Sequence, residues 1–365
     1  MRIRELRLQN YRNYASLALT PDEGLCVLTG DNAAGKTNVL EALFLCALGR
    51  SHRTTRDAEL IRTGAEGAVV RLTLDTRGGT REIACRIAPG ERKRISIDGA
   101  QLSRSGELLG CLNVVMFAPE DLMLVKGGPA ERRRFLDMEI SQLKPAYYYT
   151  LQRYNAALKQ RNALLKDPDT VYAGALEPWD EQLSRLGAAI TMERAEFLEE
   201  LSAIAANLHL SLSDHRETLL LSYQPNLPPA EPEALAGAMR ERLYENVERD
   251  ICRGSTSVGP HRDDVGMVLD GTDVRIYGSQ GQQRSVVLAL KLGEANVMAQ
   301  SIGEEPVILL DDVLSELDDS RQEYLLNHMK ERQVFFTCCD PSGIRLLRDG
   351  KVFYMKEGCL TGAPL

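Results

Sequence analysis

The chain has 365 residues, of which 44% are hydrophobic and 26% charged, as is typical of a soluble globular protein with room for two domains. Its net charge of -8 argues against a uniformly basic nucleic-acid coat protein, but a local DNA-binding face stays open because only the field at the contact matters. No apolar run approaches the roughly 20 residues that span a bilayer, and no signal peptide is visible. The eight cysteines form no CxxC pair, so we expect reduced thiols, a cytoplasmic location and no membrane partner.

Residues 1–118 predict a strand-rich α/β unit. Strands are expected at ASLALT and GLCVLTG, followed by a helix from about Gly35 to Leu48. The segments AVVRLTLDT, REIACRIA and RISIDGAQL predict a meander, in which Asp98 and Gly99 supply a hairpin turn. The run NVVMF is typical of a short buried strand.

The pattern becomes helical from Pro129 to about His209, and Pro129 and Pro145 suit first helical turns, which tolerate proline. A proline-rich break, QPNLPPAEPE, precedes another helix that reaches about Cys252. No internal repeat and no heptad run long enough for an extended coiled coil is visible in the sequence.

Strands return after this helical region. The segment VGMVLDGTDVRIY predicts two strands around a turn at Asp270 and Gly271. The runs PVILLDD and QVFFTC are typical of buried parallel strands flanked by helices. We therefore predict a discontinuous α/β domain, 1-118 plus 254-365, with a mostly helical domain inserted at 119-253.

The segment GDNAAGKT fits the G-x-x-x-x-G-K-[ST] pattern of a phosphate-binding loop, between an apolar strand and a helix. Backbone N–H groups of such a loop converge on a nucleotide phosphate at the helix N-terminus. A simple glycine turn would explain Gly30 and Gly35, but not Lys36, whose cation opposes the helix dipole unless an anion is bound. The predicted nucleotide-binding residues are Gly30, Asp31, Asn32, Ala33, Ala34, Gly35, Lys36 and Thr37.

Catalytic and metal roles follow from the same loop and a second strand. Lys36 is expected to meet the β- and γ-phosphates of ATP and act catalytically, and the Thr37 hydroxyl is expected to bind Mg²⁺. Asp311, at the end of the apolar run 307–310, is placed to bind Mg²⁺ as well. Asp312 could orient or deprotonate the attacking water. The alternative is a strand that ends in a solvated acidic turn.

With these parts assembled, the chain resembles the ABC-type ATPase heads of the SMC/Rad50/RecF superfamily, and in particular its RecF branch. The resemblance implies an α/β, ABC-type P-loop ATPase head, with mixed sheets, flanking helices and an inserted mostly helical domain. It rests on LQNYRNY, GDNAAGKTNVLEAL, SHR (51–53), FAPEDLMLVKGGPAERRRFLD (117–137), YNAALKQRNALLK (154–166), TSVGPHRDD (256–264), SQGQQRS (279–285) and LLDDVLSELD (309–318).

The resemblance also implies roles for particular residues. The ABC signature, which grips the γ-phosphate of ATP held by the other subunit, corresponds to Ser279, Gln280, Gly281 and Gln282. Asp318 corresponds to the D-loop near the subunit interface, and two heads would close head-to-tail around two ATP molecules. Arg12 is expected to reach the nucleotide, with a surface arginine on an edge strand as an equal alternative.

The resemblance to this branch also implies DNA binding, ATP-driven homodimerisation and slow DNA-stimulated ATP hydrolysis. It further implies cooperation with RecR and RecO in loading RecA at gapped DNA. DNA-contact candidates in the inserted domain are Arg132, Arg133, Lys159 and Arg161, although a charge run on a helix is usually a solvated face. Further basic clusters are GRSHRTTR (49–56) and ERKR (91–94). His261 has no metal-ligand spacing around it, so we do not expect a zinc site there.

Three other functions remain open. A transport ATPase subunit predicts a histidine after the last core strand, where FFTCCD offers Thr337 and leaves the γ-phosphate sensor undefined. A structural SMC-like tether predicts a long heptad coiled coil, for which the insertion is too short and too rich in proline. An ATP-dependent binding module that does not hydrolyse ATP differs from an ATPase switch only in the rate of hydrolysis, which the sequence does not reveal. Ala33 and Ala34 stand where RecF proteins more often have glycine, and we expect little loss because backbone N–H groups bind the phosphate.

Overall fold

The computed structural model describes residues 1–167, 174–339 and 350–361. The chain divides into one unit formed by Met1–Asp121 and Leu290–Leu365, and a second unit formed by Leu122–Ala289. The predicted inserted domain ends at 253, whereas the second unit extends to Ala289. Pairing between strands of the second unit, given below, explains this difference.

The first unit contains a six-stranded antiparallel sheet in the order β2-β1-β4-β5-β6-β7. Its strands are β1 (Arg2–Tyr11), β2 (Tyr14–Leu19), β4 (Ala68–Thr76), β5 (Gly79–Ile87), β6 (Arg94–Ile97) and β7 (Ala100–Gln101). Apolar and charged residues alternate along β1, so its apolar side chains share the buried face. A strand over β1 is not among the sequence predictions, although this alternation is its signal. The hairpin turn at Asp98 and Gly99 is confirmed, with φ of 52° and 80°.

A second sheet of the same unit has the order β15-β14-β3-β13-β12-β8. Its strands are β3 (Leu25–Thr29), β8 (Val114–Phe117), β12 (Val307–Asp311), β13 (Val334–Cys338), β14 (Lys351–Lys356) and β15 (Cys359–Thr361). All pairings are parallel except β14 with β15. The apolar runs of β12 and β13 are buried, as expected for central parallel strands.

Helices α1 (Lys36–Leu48) and α10 (Asp319–Asn327) belong to this unit, and α9 (Gln280–Ile302) crosses the boundary between the units. The strand β3 ends directly before the phosphate-binding loop, and β12 ends at Asp311, the first residue of the Asp311-Asp312 pair. The helix α1 confirms the predicted helix behind the loop. In the part of the chain that the structure describes, no helix has both the length and the apolar character needed to cross a membrane.

The second unit is mostly helical. Its helices are α2 (Met123–Lys126), α3 (Pro129–Leu143), α4 (Pro145–Leu165), α5 (Glu177–Leu212), α6 (Pro232–Glu245), α7 (Val247–Arg253) and α8 (Val274–Tyr277). It also contains a three-stranded sheet in the order β11-β10-β9, with β9 (Leu219–Gln224), β10 (Asp264–Leu269) and β11 (Thr272–Asp273). Because β10 pairs along its whole length with β9, residues after 253 remain in this unit. No strand is predicted at β9.

The predicted strand after Asp270 and Gly271 is wrong in its second half. The turn itself is confirmed, with φ of 47° and 83°. The strand β11 then ends at Asp273, whose carboxylate accepts the backbone N–H of Arg275 at 2.8 Å. This contact caps the short helix α8, so VRIY is helical despite its β-branched residues.

Candidate nucleotide site and relation to known proteins

The loop between β3 and α1 requires glycine at two positions. Gly30 and Gly35 have φ of 151° and 111°. A Cβ at Gly30 would overlap the carbonyl oxygen of Met355, and one at Gly35 would lie 2.5 Å from the Tyr14 hydroxyl. Ala33 adopts a φ of 66°, which costs a residue with a side chain about 1–2 kcal/mol. The loop conformation is therefore maintained against local strain.

Neighbouring segments hold this loop from outside. The Asn13 amide donates to the Ala34 carbonyl at 3.1 Å, and the buried Tyr14 hydroxyl donates to the Gly35 carbonyl at 2.8 Å. From the β14–β15 turn, the Gly358 N–H donates to the Ala34 carbonyl at 3.2 Å. These supporting roles of Asn13 and Tyr14 are not predicted from sequence, although both residues lie in LQNYRNY.

Lys36 is the first residue of α1. Its ammonium donates to the loop carbonyls of Gly30 and Asp31, at 2.6 and 3.0 Å. No side chain caps the N-terminus of α1, and its first turn contains no acidic residue. The positive end of the helix dipole therefore has no anion from its own first turn or cap.

Thr37 and Asp311 come together at the carboxyl ends of β3 and β12. The Thr37 Oγ1 donates to Asp311 Oδ1 at 2.8 Å, and both residues are half-buried. Within the described ranges, Asp311 forms no ion pair with a lysine or arginine. A hydroxyl and an unpaired carboxylate are hard oxygen ligands that fit Mg²⁺. The described side chains include no group of three or more His, Cys, Asp or Glu that could hold a metal ion by themselves.

Thr337, on β13, joins the two aspartates. Its buried hydroxyl donates to Asp311 Oδ1 at 2.9 Å and accepts the backbone N–H of Asp312, also at 2.9 Å. Asp312 has a φ of 53°, a left-handed conformation that is uncommon outside glycine. The Ser315 hydroxyl donates to the Asp312 carbonyl at 2.7 Å. Two hydroxyls thus fix the backbone of Asp312, and the Thr337 proton is already donated to Asp311.

The guanidinium of Arg12 contacts Glu41 rather than the loop. Its Nε and Nη2 donate to Glu41 at 2.7 and 2.6 Å, and its Nη1 donates to the Glu59 carbonyl at 2.9 Å. Burial raises the pKa of Glu41, but hydrogen bonds from Arg12 and Ser51 outweigh it and hold that pKa below its usual value. Among the described residues, Arg12 forms no hydrogen bond to 30–37, so its nucleotide contact stays a prediction.

The signature segment starts α9 with a reciprocal cap. The Gln282 N–H donates to Ser279 Oγ at 3.2 Å, and the Ser279 N–H donates to the Gln282 side chain at 2.8 Å. This arrangement is a capping box. The Gln283 amide donates to the Val274 carbonyl at 3.1 Å. Ser279 and Gln280 are exposed and Gly281 is half-buried.

Asp318 caps another helix. Its carboxylate accepts the backbone N–H of Arg321 at 2.9 Å, at the start of α10. That hydrogen bond holds the pKa of Asp318 below its usual value. Its side chain is half exposed, and its place at a subunit interface stays a prediction.

Two DNA-contact predictions in the second unit are wrong. Arg161 is fully buried and pairs with Asp180 at 2.6 Å and Asp250 at 2.7 Å. Arg132 is also buried, and it pairs with Asp264 at 2.6 Å. Both guanidiniums are held by carboxylates inside the unit, so neither presents charge to a ligand.

The other two DNA-contact candidates, Lys159 and Arg133, are at least partly accessible to solvent. Lys159 is exposed on α4, and Arg133 is half-buried, with its Nη1 donating to the Asp263 carbonyl at 2.6 Å. The nearby His261 hydrogen-bonds through both ring nitrogens, to the Tyr154 hydroxyl at 2.7 Å and the Thr256 carbonyl at 2.9 Å. Burial lowers the pKa of His261 to about 4, so the ring is neutral at pH 7.

The fold and this site define an ATP-binding head of the ABC type. The model of the RecF/RecN/SMC N terminal domain matches residues 2–355. A DNA replication and repair protein RecF from Alkaliphilus oremlandii is 42% identical over 98% of this chain and 99% of its own length. Another, from Symbiobacterium thermophilum, is 43% identical over 99% of this chain and 98% of its own length. The chain therefore belongs to the RecF family of DNA replication and repair proteins.

Solved structures agree with this assignment. The recombination mediator protein RecF-ATPrS of the RecFOR pathway matches with a TM-score of 0.92 and 34% identity, over 98% of this chain and 97% of that one. The corresponding RecF-ATP structure has a TM-score of 0.88 and 34% identity, over 98% of each chain. An Smc head domain from Pyrococcus furiosus, at 17% identity and a TM-score of 0.59, over 99% of this chain and 95% of that one, shares the fold.

Proposed function

We propose that the protein is an ATP-dependent DNA-binding protein of recombinational repair and replication-fork recovery, in which ATP binding joins two copies head-to-tail. The array of Thr37, Asp311, Thr337 and Asp312 beside the phosphate-binding loop carries this proposal. The curated relatives are named as DNA replication and repair proteins, and the solved RecF structures are named with ATP or ATPrS.

ATP binds in the cradle between β3 and α1. The N–H groups from Asn32 to Thr37 surround the β-phosphate, and Lys36 exchanges the Gly30 and Asp31 carbonyls for phosphate oxygens. Thr37 and Asp311 would hold Mg²⁺, which neutralises phosphate charge when bound. Asp312, fixed by Thr337 and Ser315, orients or deprotonates the attacking water.

The second half of each active site comes from the partner subunit. In the capping box, Ser279 Oγ accepts a hydrogen bond, so its own proton remains available to a phosphate oxygen. The first turn of α9 contains no acidic residue, and its start is exposed, so its dipole favours an anion. Ser279 and Gly281 of one copy therefore contact the γ-phosphate held by the other, with Asp318 beside the interface.

Hydrolysis serves as a switch. Each head is a weak ATPase that DNA stimulates, and hydrolysis resets a dimer assembled on gapped DNA or on a junction of single and double strands. RecR and RecO cooperate with the dimer in loading RecA. The solved RecF structures, named as members of the RecFOR pathway, support this set of partners.

The test compares the wild type with Lys36→Arg, Ser279→Arg and Asp312→Asn by sedimentation, DNA binding and ATP hydrolysis. Lys36→Arg weakens nucleotide-dependent function. Ser279→Arg binds ATP about as well as the wild type but neither dimerises nor hydrolyses, because a bulky cation replaces the partner's contact. Asp312→Asn remains a dimer with ATP unhydrolysed. Normal dimerisation and turnover by Ser279→Arg would refute the shared site.

A further inference from the structure

The exposed side of the antiparallel sheet in the first unit carries a group of arginines. Arg7 lies on β1, Arg71 on β4, Arg86 on β5 and Arg94 on β6, and Arg92 lies in the loop before β6. All are exposed to solvent. These residues are called the arginine face. It includes part of the basic cluster ERKR, which the nucleotide site does not use.

Strand register places like charges directly opposite each other on this face. Arg7 pairs in register with Arg71, and Arg86 pairs in register with Arg94. Side chains in such positions stand roughly 5 Å apart at Cβ, and like charges there destabilise a sheet. The arrangement opposes folding stability, which indicates that an anionic partner compensates the repulsion.

Carboxylates of the chain neutralise this face only in part. Within the described ranges, Arg71, Arg86 and Arg92 form no ion pair with a carboxylate. Arg7 pairs with Glu5 at 2.8 Å and Arg94 with Glu91 at 2.9 Å. Both arginines and Glu91 are exposed and Glu5 is half-buried, and solvent-accessible pairs of this kind contribute little stability. Glu5 and Glu82 lie along the neighbouring row of the sheet, beside Thr73, and limit the basic strip on that side.

A hollow of about 340 Å³ opens on the same face. Its polar lining consists of Gln9, Asn10, Arg86, Arg92 and Arg94, together with Glu91, whose carboxylate pairs with Arg94. Three cations and two amides thus face one carboxylate, so the lining keeps a net positive charge and can donate several hydrogen bonds to an anion. The shape and chemistry fit a phosphodiester group better than a flat surface would.

We propose that the arginine face binds the phosphate backbone of duplex DNA. The proposal rests on the DNA-binding function proposed above and names its contact surface. Positions beside the arginines on the same face hold small or polar side chains, namely the exposed Gln9, Ser16 and Ala18 and the half-buried Ser96. Binding of single strands relies on aromatic side chains that stack with bases, and these positions offer none. The contact is therefore electrostatic and independent of base sequence.

The experiment uses the full chain with ATP and the variant R71Q/R86Q/R92Q. Its matched control is R104Q/R216Q/R249Q, which removes the same charge from exposed arginines elsewhere. Binding of a labelled duplex, and of a single strand of equal length, is measured by fluorescence anisotropy over a salt series. Since each lost phosphate contact contributes roughly 0.9 to the slope of log K against log salt, the slope for duplex falls by about 2 to 3 in the arginine-face variant.

The expected affinity for duplex falls at least about tenfold at ~0.1 M salt, while the control variant and ATP-dependent dimerisation match the wild type. The melting temperature stays equal or rises, because like-charge repulsion is relieved. A duplex slope equal to that of the control, a loss confined to single strands, or a fall in melting temperature together with lost ATP binding would each overturn the proposal. If the wild type dimerises with ATP yet binds no duplex, the DNA-binding function itself is refuted.

Discussion

At the scale of single residues, the hydroxyl of Thr337 explains how both aspartates hold their positions. It lies on β13, whereas Asp311 ends the neighbouring strand β12 and Asp312 follows it, and parallel pairing places Thr337 opposite Asp311. Asp312 has a strained φ, and such strain persists only where surrounding contacts over-determine the conformation. The hydroxyl supplies one of those contacts and at the same time orients the proposed Mg²⁺ ligand. Thr337 therefore acts as a positioning residue.

Replacing Thr337 by Val keeps its shape but removes this hydroxyl. The free energy of unfolding should fall by about 1–3 kcal/mol, because the Asp312 N–H loses its acceptor. The ATPase rate should fall at least about tenfold, and nucleotide binding should require more Mg²⁺. Urea denaturation, steady-state hydrolysis and a Mg²⁺ titration measure these effects.

Thr337→Ser serves as the control, since it restores the hydroxyl and should recover most of the activity. If Thr337→Val loses stability but keeps the Mg²⁺ dependence and the turnover of the wild type, Thr337 has only a structural role.

At the scale of elements, the start of α9 shows how one polar cluster serves two purposes. Sequence alone predicts a helix start at Ser279 with more polar groups than one cap needs. The structure assigns Gln282 to the reciprocal cap and Gln283 to a contact with α8. Gln280 remains exposed at the end of the helix that is proposed to face ATP of the partner.

Replacing Gln282 should therefore destabilise the protein more than replacing Gln280. Gln282→Ala removes half of the capping box and also the hydrogen bond that Gln282 Nε2 donates to Glu217 Oε1 at 2.9 Å, and it should lower the free energy of unfolding by about 1 kcal/mol. Gln280 is exposed and lies two residues earlier. Gln280→Ala should therefore change the free energy of unfolding by less than about 0.5 kcal/mol. Chemical denaturation of both variants makes the comparison, and equal losses would show that the capping box contributes nothing.

At the scale of the whole molecule, the proposed active site exists only where two copies meet. Lys36 and Ser279 would then act on the same ATP from different subunits. A symmetric head-to-tail dimer has two such sites, and each site takes one residue from each copy.

This geometry predicts complementation between inactive proteins. Lys36→Arg and Ser279→Arg should each be nearly inactive alone. Mixed in equal amounts, they should recover part of the wild-type ATPase rate, because a mixed dimer pairs the intact Lys36 of one copy with the intact Ser279 of the other, although Ser279→Arg forms no dimer with itself. Mixing either variant with a Lys36→Arg/Ser279→Arg double variant is the control and should recover nothing. No recovery in the first mixture would place both residues in one subunit's own site.

Much of the candidate nucleotide site could be predicted from sequence, because its parts depend on residues adjacent along the chain. A glycine loop between an apolar strand and a helix, and a carboxylate pair at the end of a buried strand, are local patterns. The loop glycines and the Thr37–Asp311 contact lie where those patterns indicate. The two hydrogen bonds that Thr337 makes to Asp311 and Asp312 depend on pairing between β12 and β13, which no local pattern specifies.

The sequence by itself determined the type of head and the chemistry of its loop, since spacing along one segment dictates them. Only the tertiary structure decided which charges face solvent. The sequence pattern around a basic residue on a helix is the same whether the residue is solvated or paired inside a domain. The sequence therefore does not reveal that Arg161 is buried against Asp180 and Asp250. Likewise, strand register alone brings Arg7 opposite Arg71 and Arg86 opposite Arg94. Charges that are distant in sequence form one surface only when their strands pair.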